Sequence, residues 1–284
     1  PSSSNRSIYS YNIISAMTLT TEADANDRPP LEDQPLSALL AAMNREDETV
    51  PRAVAAALPA IERLAAAIID RLRQGGRLFY IGSGTSGRLG VVDASECPPT
   101  FGVPHDLVVG VIAGGDAAIR RAQEFAEDDT QQGWADLLAQ GATAQDVVVG
   151  LSASGRTPYV LGAIQAARAH GLATGSIACN SNAPLSQLAE YPVEVVVGPE
   201  FITGSTRLKA GTAQKLVLNM LSTSVMIQLG RVQGARMVDM QLTNDKLIAR
   251  GTRYVAEATG LPEAEARALL LAHGSVRAAV RAHH

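Results

Sequence analysis

Between Leu78 and Cys97 the chain carries a hydroxyl-rich glycine turn, Gly82-Ser83-Gly84-Thr85-Ser86-Gly87, and a carboxylate, Glu96. The glycines let the backbone turn tightly after the apolar run Leu78-Phe79-Tyr80-Ile81, which reads as a buried strand. A helix is expected to start near Thr85 or Ser86. The free N–H groups of that helix start, with the hydroxyls of Ser83, Thr85 and Ser86, would surround an anion with donors, and phosphate is the expected ligand.

The same residues spell G-x-G-x-x-G, so a dinucleotide site has to be weighed. That fingerprint needs an acidic residue about 20 positions on, at the end of the second strand. Asp106 has the spacing but begins its strand, and Asp116 follows too late. The dinucleotide reading therefore lacks its ribose partner.

A second turn repeats the pattern. Asp146-Val-Val-Val-Gly-Leu leads into Ser152-Ala-Ser154-Gly-Arg-Thr157-Pro158, in which Pro158 suits a first helical turn and Thr157 its cap. Helix capping alone would explain either turn. Two such turns on neighbouring parallel strands would both face the carboxyl edge of a sheet, where open α/β folds bind ligands.

The elements that must position these turns follow from periodicity. Val54, Leu58, Ile61, Leu64 or Ala65, Ile68 and Leu72 recur at helical spacing from Pro51 to the stop at Gly75-Gly76, with a kink expected at Pro59. Further strands are expected at Leu107 to Ile112, Val147 to Leu151, Thr174 to Ala178 and Val193 to Val197, with helices between most of them, which predicts five parallel strands. A long Leu- and Met-rich helix from Ser205 to Leu229 is too apolar to stand exposed and is expected between subunits. Beyond Asn244 the Ala-rich sequence, broken at Gly260-Leu-Pro262 and Gly274, predicts a small helical bundle in which His273 is structural rather than catalytic.

Composition narrows the class. A chain of 284 residues that is 46% hydrophobic can bury a large core as one α/β domain with appendages. Its 24 basic and 28 acidic residues and 4% aromatic content do not suggest a nucleic-acid groove. Cys97 and Cys179 lack the spacing of a zinc site or a disulfide framework, and no apolar stretch would span a bilayer. A cytoplasmic protein without nucleic-acid or membrane partners is expected.

These residues resemble the sugar isomerase (SIS) phosphosugar-binding fold, and within it the N-acetylmuramic acid 6-phosphate etherases. The resemblance rests on Gly84-Thr-Ser-Gly-Arg-Leu-Gly, Asp93-Ala-Ser-Glu-Cys-Pro-Pro-Thr100, Leu151-Ser-Ala-Ser-Gly-Arg-Thr-Pro-Tyr159, the run Thr203 to Met220, Val238-Asp239 and Thr243-Asn244. It covers nearly everything from about Leu36 onward. It implies a three-layer, flavodoxin-like sandwich around a five-stranded parallel sheet, with N-terminal helices and a small C-terminal bundle. The corresponding divisions are a leader without fixed structure (1–16), N-terminal helices (17–67), the phosphosugar-binding domain (68–231) and a C-terminal helical subdomain (232–284). Departures are the extra N-terminal residues, Ser83 in a small-residue position, and a somewhat shortened C-terminus.

The resemblance also implies a reaction, loss of the lactyl ether from C3 of N-acetylmuramic acid 6-phosphate. Ring opening exposes a C1 aldehyde that acidifies the C2 proton, so a base can remove it, an acid can protonate departing D-lactate, and water can add back at C3. Such a path needs no metal or redox cofactor. Glu96 matches the family's acid and Glu127 its second functional glutamate, while the order of their proton transfers stays open. Gly84, Thr85, Ser86, Ser152, Ser154 and Thr157 are the expected phosphate and sugar ligands, with Lys209 as a further candidate. Asp93 is read as structural, by capping, by pairing with Arg88 or by ordering the site.

Placed near a helix C-terminus that Pro98-Pro99 must end, and buried there, Glu96 would be shifted toward a usable acid by the helix dipole and by desolvation. Ten residues of helix also hold it about 15 Å from its own phosphate turn. Either the Pro-Pro loop folds back, or Glu96 serves a neighbouring subunit in a homodimer with shared sites. A non-catalytic sugar-phosphate sensor, like the glucokinase regulatory protein, is the alternative function, although a sensor would not need both glutamates. A sugar-phosphate isomerase would also begin at C2 but keep the lactyl group.

Overall fold

The computed structural model describes residues 19–24 and 29–284; the expected leader lies outside the described residues. In chain order, helices α1 (Leu36–Asp47) and α2 (Val50–Arg73) precede strand β1 (Leu78–Gly82) and helix α3 (Gly84–Phe101). Strand β2 (Val108–Ile112) is followed by α4 (Gly115–Arg120), a single 3-10 turn at Glu124–Glu127 and α5 (Gln132–Ala139). Then come β3 (Val147–Leu151), α6 (Pro158–Ala169), β4 (Ala173–Ala178), α7 (Pro184–Leu188), β5 (Tyr191–Glu194) and the long α8 (Lys209–Gln228).

The five strands are parallel in the order β2-β1-β3-β4-β5, the flavodoxin-like order. Side chains alternate between two cores. Leu78, Tyr80, Val147 and Val149 face α2, α3 and α8, whereas Phe79, Ile81 and Val148 face α5 and α6. Because both faces are covered, the central strands β1 and β3 are continuously buried, which is why they read as unbroken apolar runs. The stripe Val54, Ile61, Leu64 and Ile68 of α2 is buried against this sheet, each such side chain stabilising the fold by roughly 1.5–3 kcal/mol.

Several boundaries depart from expectation for physical reasons. α2 runs on through Pro59, which sits on its exposed side, so the carbonyl left without an N–H partner is in reach of water. α3 continues through Pro98 and Pro99 to Phe101 and is closed by left-handed Gly102, whose N–H donates to the Pro98 carbonyl. Cys97, Pro98 and Phe101 are all buried there, and that packing outweighs the local preference of proline to end a helix. β5 lies at Tyr191–Glu194 instead of Val193–Val197, because its ladder with β4 ends at the Ala178–Glu194 pair.

α8 begins at Lys209, four residues later than expected, after a series of turns, and packs on α2 and α3 within this chain. Met220 and Ile227 remain exposed on its outer side. After it, a short hairpin, β6 (Val232–Gln233) and β7 (Arg236–Met237), leads to α9 (Asp245–Thr259), α10 (Glu263–His273) and α11 (Val276–His283). These three helices enclose a small core of their own, with Met240, Leu247, Val255, Ala266 and Leu270. His273 is exposed in the last turn of α10, so it does not serve as a packing residue. Among the described residues no helix is long and apolar enough to cross a membrane.

Candidate active site

Strands β1 and β3 are hydrogen-bonded neighbours with Gly82 opposite Leu151, so the turns that follow them emerge side by side at the carboxyl edge. The chain is close-packed at that point. A Cβ on Gly82 would lie 2.8 Å from the Gly87 nitrogen and 3.0 Å from the Leu151 carbonyl oxygen. Gly84, with φ of +50°, opens α3 in a conformation that favours glycine. Gly84, Thr85 and Ser86 thus stand at the N-terminus of α3, as the spacing predicted.

Ser83 occupies the N-cap position, yet its hydroxyl makes no cap bond. It donates instead to Glu127 Oε2 at 3.0 Å. Glu127 comes from the 3-10 turn beyond β2, and with Ser83, Gly84, Arg88 and Gln123 it lines a cavity of about 420 Å³. Arg88 does not pair with Asp93. Its guanidinium donates to the carbonyls of Ala118 (2.8 Å) and Ile119 (2.9 Å), fixing α4 beside the first turn.

In the second turn the hydroxyls converge on one another. Ser152 Oγ lies 2.9 Å from Thr157 Oγ1 and 3.4 Å from Ser154 Oγ, and it accepts from the Gly155 N–H at 3.1 Å. Thr157 is the N-cap residue of α6 by position, with Pro158 first in the helix, but its hydroxyl pairs with that of Ser152 and makes no cap bond. All six expected ligands are therefore on two adjacent turns. Glu96 is not with them. It projects from the exposed side of α3, ten residues beyond Ser86 and about 15 Å along the axis. Because the helix continues through Pro98-Pro99, no loop there folds Glu96 back, and the burial expected for it is not supplied by its own chain.

Asp93 is buried and structural, accepting at 3.0 Å from Ser222 of α8. Burial raises its carboxyl above the ordinary range, against the opposing effects of the Ser222 hydrogen bond, Lys215 and Tyr80. Burial likewise pushes the Cys97 thiol up to about 12, which removes it as a nucleophile at neutral pH. Lys209 is also buried, and its ammonium is held 2.7 Å from Glu46 Oε2 of α1 rather than by the hydroxyl turns.

Two residues not singled out from the sequence shape this edge. Glu200, fully buried, accepts from the backbone N–H groups of Lys209 (2.9 Å) and Ala210 (3.0 Å) and so caps α8 with a carboxylate. That cap sets the start of α8 beside the first turn, where a Cβ on Gly211 would meet Thr85 Cγ2 at 3.5 Å. Asn180, just past β4, is the other. The signal for it was a polar run, Asn180-Ser181-Asn182, after a buried strand at the same edge.

Similarity to known proteins follows the same outline. Residues 60–168 match the glucokinase regulatory protein N-terminal SIS domain, and residues 132–224 match the SIS domain. The chain is 60% identical over 245 residues to an N-acetylmuramic acid 6-phosphate etherase of Christiangramia forsetii, covering 86% of this chain and 89% of that protein. It belongs to the N-acetylmuramic acid 6-phosphate etherase family. An etherase of Porphyromonas gingivalis is 56% identical, covering 92% of this chain and 94% of its own. A phosphoheptose isomerase from Francisella tularensis superimposes with a TM-score of 0.53 at 19% identity, over 68% of this chain and 98% of that one, which shows a shared fold.

Proposed function

We propose that this protein cleaves the C3 D-lactyl ether of N-acetylmuramic acid 6-phosphate by elimination and hydration, releasing D-lactate and N-acetylglucosamine 6-phosphate in amino-sugar recycling or catabolism. The observation that carries this is the 60% identity to an etherase over nearly the full length of both proteins. Retention of both glutamates favours catalysis over the sensor alternative.

In this reading the two hydroxyl turns hold the 6-phosphate through Gly84, Thr85, Ser86, Ser152, Ser154 and Thr157, where backbone N–H groups and hydroxyls meet at one helix start and one strand end. The anchored phosphate then fixes the sugar chain so that C2 and C3 lie against the acid/base groups. Glu127, 3.0 Å from Ser83 at the lip of the first turn, is positioned to act on C2 or on the incoming water. Elimination breaks the C2–H and C3–O bonds together with proton delivery to the lactate oxygen. Hydration then forms a C3–OH bond and returns a proton to C2.

Glu96 completes the pair from a second copy. Its place on the outer face of α3, with exposed Val92 on the same helix and Met220 on neighbouring α8, supports a homodimer with sites at the subunit boundary. The two buried free cysteines fit a reducing, cytoplasmic compartment. Turnover in heavy water tests the chemistry. Elimination and hydration predict N-acetylglucosamine 6-phosphate carrying solvent deuterium at C2, and product without it would refute the elimination path.

A further inference from the structure

The N-terminal segment Leu19–Asp24 is strapped across the carboxyl edge of the sheet. Thr21 is fully buried there, its carbonyl accepts from the Gly204 N–H at 3.2 Å, and Asp24 Oδ1 accepts from the Thr203 hydroxyl at 3.2 Å. The centre of the strap is the buried side chain of Asn180. Its Oδ1 accepts from the Thr20 hydroxyl (2.9 Å) and the Thr21 N–H (3.3 Å), while its Nδ2 donates to Thr21 Oγ1 (3.1 Å) and to the carbonyl of Ala153 (3.0 Å). All four bonds agree on one orientation of the amide. Flipping it would set the amide oxygen against the Ala153 carbonyl and the amide NH2 against the Thr21 N–H.

Ala153 lies between Ser152 and Ser154 in the second hydroxyl turn. Its carbonyl accepts twice, from Asn180 Nδ2 and from the Cys179 N–H at 2.9 Å, so it is drawn toward the chain leaving β4. In a planar trans peptide the N–H on the other side points the opposite way. The Ser154 N–H is therefore turned away from β4, and on that flank of β3 lies β1 with the Gly84–Ser86 turn. Among the described residues no acceptor takes that N–H.

We propose that Asn180, locked by Thr20 and Thr21, is a positioning residue that orients the Ala153–Ser154 peptide so that the Ser154 N–H meets the substrate phosphate. This rests on the reading that the Ser152–Thr157 turn holds the phosphate. The strap thus connects a segment more than 130 positions earlier in the chain to the geometry of the anion site. Without the Asn180 donor the Ala153 carbonyl keeps only the Cys179 N–H, so the peptide is held by one bond instead of two and the Ser154 N–H is aimed less firmly at the anion.

The test uses the full chain, with inorganic phosphate as a competitive inhibitor and N-acetylmuramic acid 6-phosphate as substrate. Asn180→Ala and Thr21→Val should each raise KM and the phosphate inhibition constant in parallel, about tenfold, with kcat held within about threefold. Thr21→Ser should restore both, and should Asn180→Ala fail to fold, the two Thr21 variants suffice. Ser154→Ala, which removes a direct ligand, separates the two levels. If it weakens phosphate while the Asn180 and Thr21 variants do not, the turn holds phosphate without their help and the proposal fails. If it too leaves phosphate unchanged, the phosphate reading fails and the proposal with it. Loss of thermal stability in the Asn180 and Thr21 variants with an unchanged inhibition constant would make the strap purely structural and overturn the proposal as well.

Discussion

Ser83 and Glu127, 44 positions apart, are joined by a 3.0 Å hydrogen bond that brings a carboxylate to the lip of the first hydroxyl turn. The carboxylate and the hydroxyl should differ in importance. Glu127→Gln should lower kcat by at least about a hundredfold, the range of a lost acid/base group, whereas Ser83→Ala should keep kcat within about fivefold. Steady-state kinetics on the two variants decide this, and a Ser83→Ala enzyme as inactive as Glu127→Gln would make the hydroxyl part of the chemistry.

The outward position of Glu96 leads to a prediction about pairs of chains. If each site takes Glu127 from one chain and Glu96 from the other, a heterodimer of Glu96→Gln with Glu127→Gln has one intact site and one doubly defective site. Random mixing, after dissociation and reassociation, should then recover about a quarter of wild-type activity from two inactive parents. Mixtures that stay inactive, after exchange has been verified with tagged chains, would put Glu96 in its own subunit's site.

The first turn leaves no space at Gly87, where a Cβ would meet Ile112 Cγ1 at 2.7 Å and the Gly82 carbonyl oxygen at 2.8 Å. Relief would require the turn to move away from β1. Gly87→Ala should thus lower stability by about 1–3 kcal/mol and weaken phosphate binding together, measurable by denaturant unfolding and by inhibition with phosphate. A stable variant with unchanged inhibition would show that the turn tolerates displacement.

Asp93 gives a pH dependence of stability. Its carboxyl is raised in the fold, so above its ordinary value the unfolded chain releases a proton that the folded chain still holds or must bury as charge. Its unfavourable contribution is absent below the ordinary value, grows as pH rises toward the raised value and is constant above it. Asp93→Asn, which can still accept from Ser222, should raise the melting temperature at pH 7 and leave it nearly unchanged at pH 3. A lower melting temperature at pH 7 would mean that the charged form is the one the fold stabilises.

Much of this architecture was legible in the sequence because the sheet is buried on both faces. β1, β2, β3 and β4 came within one residue of their observed bounds, since runs such as Val147 to Leu151 have no polar face to confuse the period. Local rules failed where tertiary packing decided. Pro98 and Pro99 signal a helix end, but the buried side of α3 carries the helix past them. Val195 to Val197 are strand formers that outlast the ladder available to them.

Site residues were legible to different degrees. The hydroxyl turns announce themselves through glycine and serine spacing, and the structure brings them together. Glu127 reads by itself as one of a solvated acidic cluster, and only the resemblance distinguished it. The strap could not have been read locally, because Thr20 and Thr21 carry no periodic pattern and their partner Asn180 is about 160 positions away.

The most direct measurement is D-lactate release from N-acetylmuramic acid 6-phosphate by the purified protein without added metal or nucleotide, beside Glu96→Gln and Glu127→Gln. Stoichiometric D-lactate from the wild type, falling by orders of magnitude in each variant, is the predicted result. Tight binding of the sugar phosphate with no lactate formed would contradict the etherase assignment and leave a sugar-phosphate sensor.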